Sequence, residues 1–268
     1  MKLRAFFRTH PVFTVEDFAG FRSSGESHNV RTQESLLTYH VKASNIIRVR
    51  RGLYAVVPSG APAETYPVDP FLLASRMTKD AVLAYHTALE FHGKAYSVYE
   101  HFTYLAASPS HPVTFRSHRF KGVKFPRALT LKDKAFFDVV KADRVGLEIR
   151  VTGLERTFVD VLNRADLTGS WEEIWRSLES VEFFDLDKVA LYVDLLGNAT
   201  TAAKVGFFLE QHRESLMVDE AHLKTFRDRR PRRPHYLERS RRKAGRFVSA
   251  WNLVVPEEVY ERSWEELR

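Results

Sequence analysis

The first sixty residues combine segments of helical and of strand-like hydrophobic spacing. Apolar residues between Leu3 and Arg8 predict a short helix. Thr14, followed three residues later by Asp17, predicts the start of a second helix, because each side chain can accept a hydrogen bond from the backbone of the other residue. A third helix is predicted from about residue 29 to residue 44.

The third predicted helix separates an apolar face from a polar one. At 100° per residue, Val30, Leu37 and Val41 fall on one side, which we expect to be buried. The opposite side carries polar groups that can bond to DNA bases and phosphates. These residues are Arg31, Thr32, Ser35, Tyr39 and Lys42. Taken alone, the pattern is also that of an ordinary amphipathic surface helix.

A small predicted hairpin follows this helix directly. Two apolar runs, at residues 46–49 and 53–57, flank the basic turn Arg50-Arg51-Gly52. A helix followed by a hairpin with arginines at its turn is the arrangement of a winged helix-turn-helix. We therefore predict base contacts from the helix and phosphate contacts from its end and from the hairpin. The predicted base-contacting residues are Arg31, Thr32, Ser35 and Tyr39, and the predicted phosphate-contacting residues are Lys42, Arg48, Arg50 and Arg51.

Proline then interrupts the pattern and predicts a domain boundary. Four prolines in the thirteen residues after Val57 disfavour both helix and central strand. We predict a winged helix-turn-helix over residues 1–58, a linker over 59–70, and a larger mixed α+β domain over 71–226 with a small sheet and a helical C-terminal half. Residues 227–268 are predicted to form a basic segment, then a strand and a helix that pack back on the body.

Two local patterns predict helices within the larger domain. The apolar run from Val82 to His92, stopped by Gly93, predicts one helix. Thr152 with Glu155 three residues later predicts a capping box at the start of another. Strand-like runs between them predict the small sheet.

Positive charge is concentrated at two places along the chain. The net charge is +7, to which residues 1–57 contribute +5 and residues 227–246 contribute +8, so the remainder is acidic. Such segments favour a polyanionic partner, and a solvated tail has the same composition. The second candidate basic surface consists of Arg229, Arg230, Arg232, Arg233, Arg239, Arg241, Arg242 and Lys243.

Composition also limits the cellular setting. Cysteine is absent, so no disulfide framework or thiolate metal site can form. No run of about 18 apolar residues occurs. The N-terminal segment lacks the apolar stretch of a secretory signal because Arg8 interrupts it. We therefore predict a cytoplasmic protein.

No pattern of catalytic residues stands out. The chain has neither a phosphate-binding loop nor a Gly-x-Ser-x-Gly nucleophile motif. His86 and His92 are six residues apart, which is the wrong spacing for two ligands on one helix face, so we expect packed histidines. Glu155 and Asp160 have the residue types of an acid–base pair, but the capping box accounts for Glu155. We predict a protein that is not an enzyme and binds neither a cofactor nor a metal.

Three short segments, at residues 50–55, 85–93 and 155–160, form a recognisable series along the chain. In their sequence, order and spacing they resemble the AbiEi family of antitoxins, the regulators of type IV toxin–antitoxin systems, and the resemblance spans roughly residues 5–165. It implies a DNA-binding autorepressor that counters a partner nucleotidyltransferase toxin. The implied partners are that toxin and operator repeats in double-stranded DNA, with the protein a monomer in solution or a dimer on DNA.

Two other functions fit parts of the pattern. A winged-helix nuclease would need clustered carboxylates and a lysine on neighbouring strands, and the nearest approach is Glu148-Ile149-Arg150. A transcription factor with a ligand-sensing second domain would bind an operator with an affinity that a small molecule changes.

Overall fold

A computed structural model describes residues 2–23, 30–238 and 245–265 of the chain. The described part is a mixed α+β protein with three small sheets. The chain divides into two compact units. Unit 1 comprises residues 1–83, 100–124 and 140–151, and unit 2 comprises residues 84–99, 125–139 and 152–268.

Unit 1 begins with three helices and a three-stranded sheet. The helices are α1 (Lys2–Thr9), α2 (Val15–Ser23) and α3 (Val30–Lys42), and the strands are β1 (Val12–Thr14), β2 (Ile46–Arg50) and β3 (Leu53–Val56). The sheet order is β1-β3-β2, and both pairings are antiparallel. The predicted start of α2 is confirmed, because the Thr14 N–H donates to the Asp17 carboxylate at 2.8 Å and the Asp17 N–H donates to the Thr14 hydroxyl at 3.1 Å.

An aromatic core holds these elements together. Phe6, Phe13 and Phe18 are almost completely buried, and their ring centroids lie 5.2, 5.6 and 6.0 Å apart. Tyr54 of β3 stacks on Phe13 at 5.7 Å, and Leu37 of α3 packs into the same cluster. Full burial of one large apolar side chain contributes roughly 1.5–3 kcal/mol, so this cluster can fix α1, α2 and α3 against the sheet.

A six-stranded mixed sheet forms the rest of unit 1. Its strands are β4 (Val82–Leu83), β5 (His101–Ala106), β6 (Val113–Phe115), β7 (His118–Lys124), β8 (Val139–Arg144) and β9 (Leu147–Thr152). Their order is β6-β7-β5-β4-β9-β8, with β5 and β7 parallel and the short β4 between β5 and β9. Helix α4 (Pro70–Ser75) packs Phe71 edge-on against Phe102 of β5.

Unit 2 is mainly helical. Its helices are α5 (His86–Phe91), α6 (Arg127–Leu131), α7 (Leu154–Asn163), α8 (Trp171–Glu179), α9 (Leu186–Leu196), α10 (Ala199–Gln211), α11 (Glu220–Arg227) and α12 (Glu257–Tyr260). Short 3₁₀ turns span Ala165–Leu167 and Ser263–Glu265. A small sheet of order β10-β12-β11 contains β10 (His235–Tyr236), β11 (Gly245–Val248) and β12 (Leu253–Pro256).

Tryptophan is confined to unit 2, which contains all four copies in the chain. Trp175 and Trp251 are completely buried at the centre of its core. The indole N–H of Trp175 donates to Gln211 at 2.9 Å, and that of Trp251 donates to Glu210 at 2.7 Å. Because each buried N–H has an acceptor, the rings contribute their apolar area without an unsatisfied donor.

The prediction of one helix from Val82 to His92 is wrong. Val82 and Leu83 form β4, and Tyr85 then adopts φ 58°, a left-handed conformation that separates the strand from α5. The cause is non-local, because Leu83 pairs with Tyr104 on one side and with Val151 on the other. An apolar run of this length does not distinguish a buried strand from a helix.

The predicted capping box at Thr152 and Glu155 is also wrong. Gly153 is the N-cap of α7 and makes no side-chain cap bond. The Asp138 carboxylate replaces the predicted cap, since it accepts the Arg156 N–H at 3.0 Å. Glu155 instead accepts from the ammonium group of Lys188 at 3.1 Å.

The compact units do not follow the predicted boundary at residues 59–70. Residues 100–124 and 140–151 group with residues 1–83, away from the rest of the predicted larger domain. Strand pairing gives the physical reason: β5 pairs with β4 and β7, and β4 pairs with β9. These pairings join segments that are distant in sequence, so the proline content around residue 60 carries no signal of them.

Candidate functional site

The predicted polar face of α3 is exposed to solvent. Its members are Arg31, Thr32, Ser35, Tyr39 and Lys42. On the other face Leu37 is buried as predicted, together with Gln33. Val41 is 36% exposed, so its prediction as a core residue is wrong, and the side chain of Val30 lies outside the described residues. The helix is thus rotated relative to the predicted orientation, but all five polar residues still face outward.

His40 accounts for this rotation and fixes the end of α3. Its ring packs edge-on against Phe7 with the centroids 5.2 Å apart, and burial lowers the pKa of His40. The Asn45 N–H donates to the His40 carbonyl at 3.0 Å, and the Asn45 carbonyl accepts from the Val57 N–H at 2.9 Å. The end of α3 is therefore hydrogen-bonded to the base of the β2–β3 hairpin.

The hairpin presents two arginines to solvent, Arg48 on strand β2 and Arg51 at the turn. Gly52 has φ 81°, a left-handed conformation that glycine adopts without strain. The strand register shifts between Arg48 and Arg50, which marks a β-bulge. Bulges redirect side chains at the edge of a sheet. Arg48 and Arg51 are both exposed, on either side of this irregularity.

Arg50 is placed differently from its two neighbours. Its side chain is half-buried, and Nη2 donates to the backbone carbonyl of Met77. Its Nε is buried and has no hydrogen-bond partner among the residues that the structure describes. The guanidinium predicted as a phosphate contact is therefore bound in part to the protein itself.

The second candidate basic surface is only half described. Arg239, Arg241, Arg242 and Lys243 lie outside the described residues. Arg229 binds both carboxylate oxygens of Asp194, and Arg230 donates to the backbone carbonyl of Arg227 at 2.9 Å. Arg232 and Arg233 are exposed. Among the described members, two are thus engaged with protein groups and two face solvent.

The segment around Arg156 forms a buried polar network rather than an accessible acid–base pair. Arg156 Nε lies 3.3 Å from Asp160 Oδ2, and the Tyr192 hydroxyl donates to Asp160 Oδ1 at 2.7 Å. All three side chains are essentially inaccessible to solvent. Burial raises the pKa of Asp160, and the positive charge of Arg156 opposes that rise. The network joins α7 to α9 and supports a structural role for these residues.

His86 is also packed, as predicted. Its Nε2 lies 3.0 Å from Glu173 Oε1 and its Nδ1 lies 3.5 Å from Glu90 Oε2, while its ring stacks on Tyr99 at 3.9 Å. Burial lowers the pKa of His86, but the hydrogen bond with Glu173 and the nearby Glu90 carboxylate outweigh this effect, so the pKa is raised. Burial disfavours ionised Glu173, but hydrogen bonds from His86 and Ser97 outweigh it and lower the pKa of Glu173 to about 2.

A cavity with a volume of about 1000 Å³ lies within unit 2. Aromatic and charged side chains line it, including Trp171, Tyr236, Trp264, Arg164, Lys204 and Glu238. Within the described ranges, no group of three or more His, Asp or Glu side chains is arranged to hold a metal ion. None of the described helices has the length and apolar character needed to cross a membrane.

The fold is similar to that of a solved protein that has little sequence similarity to this chain. No family model matches the sequence, and no curated protein matches it. The RV2827C protein from Mycobacterium tuberculosis superimposes with a TM-score of 0.65 over 99% of this chain and 93% of that chain, at 17% sequence identity. At that level of identity the likeness is one of fold alone.

Proposed function

We propose that this protein is a DNA-binding transcriptional regulator in which residues 2–57 form a winged helix-turn-helix. In this proposal α3 is the recognition helix and the β2–β3 hairpin is the wing. One observation carries the proposal: α3, with its exposed polar face, is followed directly by a hairpin that exposes Arg48 on its first strand and Arg51 at its turn.

The two elements have different tasks. Arg31 can pair with guanine, and the hydroxyls of Thr32 and Ser35 can bond to either base edges or phosphates in a major groove. Lys42, Arg48 and Arg51 neutralise phosphates, which adds affinity without sequence preference. Because one winged helix makes few base contacts, two copies on repeated half-sites give the required specificity.

The division of charge supports a polyanionic partner for unit 1. Its sequence ranges contain 18 basic and 10 acidic residues, a net charge of +8. The ranges of unit 2 contain 23 basic and 24 acidic residues, a net charge of −1. A positive field around one unit attracts DNA and speeds its association.

The biological role that we propose is that of an AbiEi-type antitoxin and autorepressor. It rests on the resemblance of residues 50–55, 85–93 and 155–160 to that family. In this role unit 1 represses the protein's own promoter, and unit 2 carries the activity that counters a nucleotidyltransferase toxin.

DNA binding is tested by selecting duplexes from a random library with the wild-type protein. The double variant Arg48→Gln, Arg51→Gln should weaken binding to every duplex and reduce the slope of log affinity against log salt by about 2. The double variant Thr32→Ala, Ser35→Ala should instead reduce discrimination between the selected and a scrambled duplex by roughly 1–3 kcal/mol.

A matched control removes two exposed charges from unit 2. Arg127 and Lys134 are exposed there, and the variant Arg127→Gln, Lys134→Gln should retain wild-type affinity and salt slope. A library that yields no enriched sequence would show that α3 does not read bases. An unchanged slope in the hairpin variant would exclude the wing assignment.

The antitoxin role requires its own experiment. A nucleotidyltransferase reading frame beside the gene should arrest growth when expressed alone, and co-expression of this protein should restore growth. If growth arrest persists at equal expression, the antitoxin role is excluded while the DNA-binding proposal stands.

A second candidate is a ligand-responsive winged-helix regulator, which the cavity in unit 2 favours. This function requires that a small molecule shift the affinity for the selected duplex. The substitution Trp171→Ala within the cavity lining should then abolish the shift and leave the affinity without ligand unchanged.

A further inference from the structure

Three arginine side chains link residues 76–79 to other segments of unit 1. The guanidinium of Arg50, beside the hairpin turn, donates to the Met77 carbonyl. Nη1 of Arg150 lies 3.4 Å from the Lys79 carbonyl, and Nη2 of Arg76 lies 3.5 Å from the Glu148 carbonyl. The segment thus joins the hairpin to β9 through arginine side chains bonded to backbone carbonyls.

The cations of this segment form no ion pair within the part of the chain that the structure describes. Arg50, Arg76 and Lys79 have no carboxylate partner among the residues that the structure describes. The nearby acidic side chains are engaged elsewhere, since Glu148 pairs with Lys141 at 3.1 Å and Asp80 accepts the Ala107 N–H at 2.7 Å.

Two of these arginines also have unsatisfied hydrogen-bond donors within the described residues. The Nε atoms of Arg50 and Arg76 are both buried and lack a hydrogen-bond partner within the described ranges. Buried donors of charged groups are normally satisfied, and a positive charge without an acidic partner favours an anionic ligand. An anion with several acceptor oxygens, bound from the solvent side by Arg76 and Lys79, would neutralise that charge.

We propose that residues 76–79 form an additional phosphate site for the DNA backbone, next to the wing. Arg76 and the exposed Lys79 bind the phosphate, and Arg50 is a positioning residue that attaches the hairpin to this segment. The inference rests on the proposed DNA-binding function and extends its contact surface beyond residue 57. DNA is the favoured source of the phosphate because Arg50 adjoins Arg51, the exposed residue of the hairpin turn.

The test compares salt slopes on the duplex selected by wild-type protein. The variant Arg76→Gln, Lys79→Gln should lower affinity about tenfold at about 0.15 M salt and reduce the log–log slope by about 2, equally for selected and scrambled duplexes. Lys79→Gln alone, at an exposed position, should reduce the slope by about 1. Arg50→Gln should lower affinity with a smaller change in slope, because it releases the hairpin rather than removing a phosphate contact.

The outcomes distinguish failure of the additional phosphate site from failure of the proposed DNA-binding function, on which the inference rests. If wild-type protein binds no duplex, both are overturned. If the double variant Arg48→Gln, Arg51→Gln weakens binding while Lys79→Gln and the double variant Arg76→Gln, Lys79→Gln keep the wild-type slope of log affinity against log salt, only the additional phosphate site is excluded. Binding of inorganic phosphate that Lys79→Gln abolishes, without any change in DNA affinity, would assign the site to a free phosphate and overturn the proposal.

Discussion

Gly206 in α10 is a single position where the fold requires the absence of a side chain. A Cβ atom at this residue would overlap the ring of Trp251, whose Cε3 would lie 2.8 Å away and two other ring carbons closer still. The ring cannot retreat, because Trp251 is completely buried and its indole N–H is bonded to Glu210. Gly206 is otherwise an unfavourable residue in a helix interior, so packing overrides helix propensity here.

The substitution Gly206→Ala should therefore destabilise unit 2. Overpacking of a buried site lowers the free energy of unfolding by roughly 1–3 kcal/mol, which exceeds the gain in helix propensity of about 1 kcal/mol. Urea unfolding followed by tryptophan fluorescence measures the change. Gly20→Ala is the matched control, because its added methyl group meets nothing within 4 Å in α2 and should raise or preserve stability. Equal stability of Gly206→Ala and wild type would show that Trp251 can move.

The pair His86–Glu173 links α5 to α8 and makes that link dependent on pH. The pKa of His86 is raised above 6.5, so the folded state binds the proton more tightly than the unfolded state does. The stabilisation of the folded state by protonated His86 is therefore complete below about pH 6.5 and is lost as pH rises through the folded-state pKa of His86. The pKa of Glu173 is lowered to about 2, so its contribution is present above pH 4.5 and is lost as pH falls.

Stability of unit 2 should consequently decline as pH rises above about 6.5. The variant His86→Gln should be less stable at pH 6 and should show a flatter decline, because it carries no charge to lose. Midpoints of thermal unfolding, followed by tryptophan fluorescence, measure this slope. His111→Gln, at an exposed position, should retain the wild-type slope. If the unfolding midpoints of His86→Gln and wild type fall equally steeply with pH, the proposed role of the His86–Glu173 pair is contradicted.

Sequence patterns predict those elements whose stabilising contacts are local. The start of α2 and the β2–β3 hairpin depend on residues a few positions apart, and both are present where the pattern predicts them. The orientation of α3 is set by the contact between His40 and Phe7, which are 33 residues apart, so Val41 was misassigned to the core. The start of α7 is capped by Asp138 from another segment, which no pattern around Thr152 reveals.

In the candidate site, too, local sequence patterns predict some residues, whereas contacts between distant segments determine others. Exposure of the polar face of α3 follows from helical periodicity, and exposure of Arg48 and Arg51 follows from their place in a hairpin. The bond from Arg50 to Met77 spans 27 residues. Arg48, Arg50 and Arg51 therefore look equivalent in sequence, although the side chain of Arg50 is bound to the protein itself.

Neither unit of the molecule is one continuous segment. The chain passes from one unit to the other at residues 83/84, 99/100, 124/125, 139/140 and 151/152. Each unit therefore contains three separate stretches of chain. Loss of structure in one unit removes the anchoring of segments that belong to the other, which favours cooperative unfolding.

We expect the two units to unfold in one transition. Tryptophan fluorescence observes unit 2 alone, because all four tryptophans lie there, whereas far-ultraviolet circular dichroism observes helices and strands of both units. The urea midpoints from the two probes should coincide in wild type and shift together in Gly206→Ala. Separate midpoints would show that the units unfold independently.

The five chain crossings also have a consequence for evolution. A protein whose compact units are consecutive segments can exchange either unit by a single recombination event. Here no single crossover transfers one complete unit by itself, since every break between residues 84 and 151 leaves parts of both units on each side. Adaptation to a new partner must then proceed by substitution within a shared framework, and the two units are inherited together.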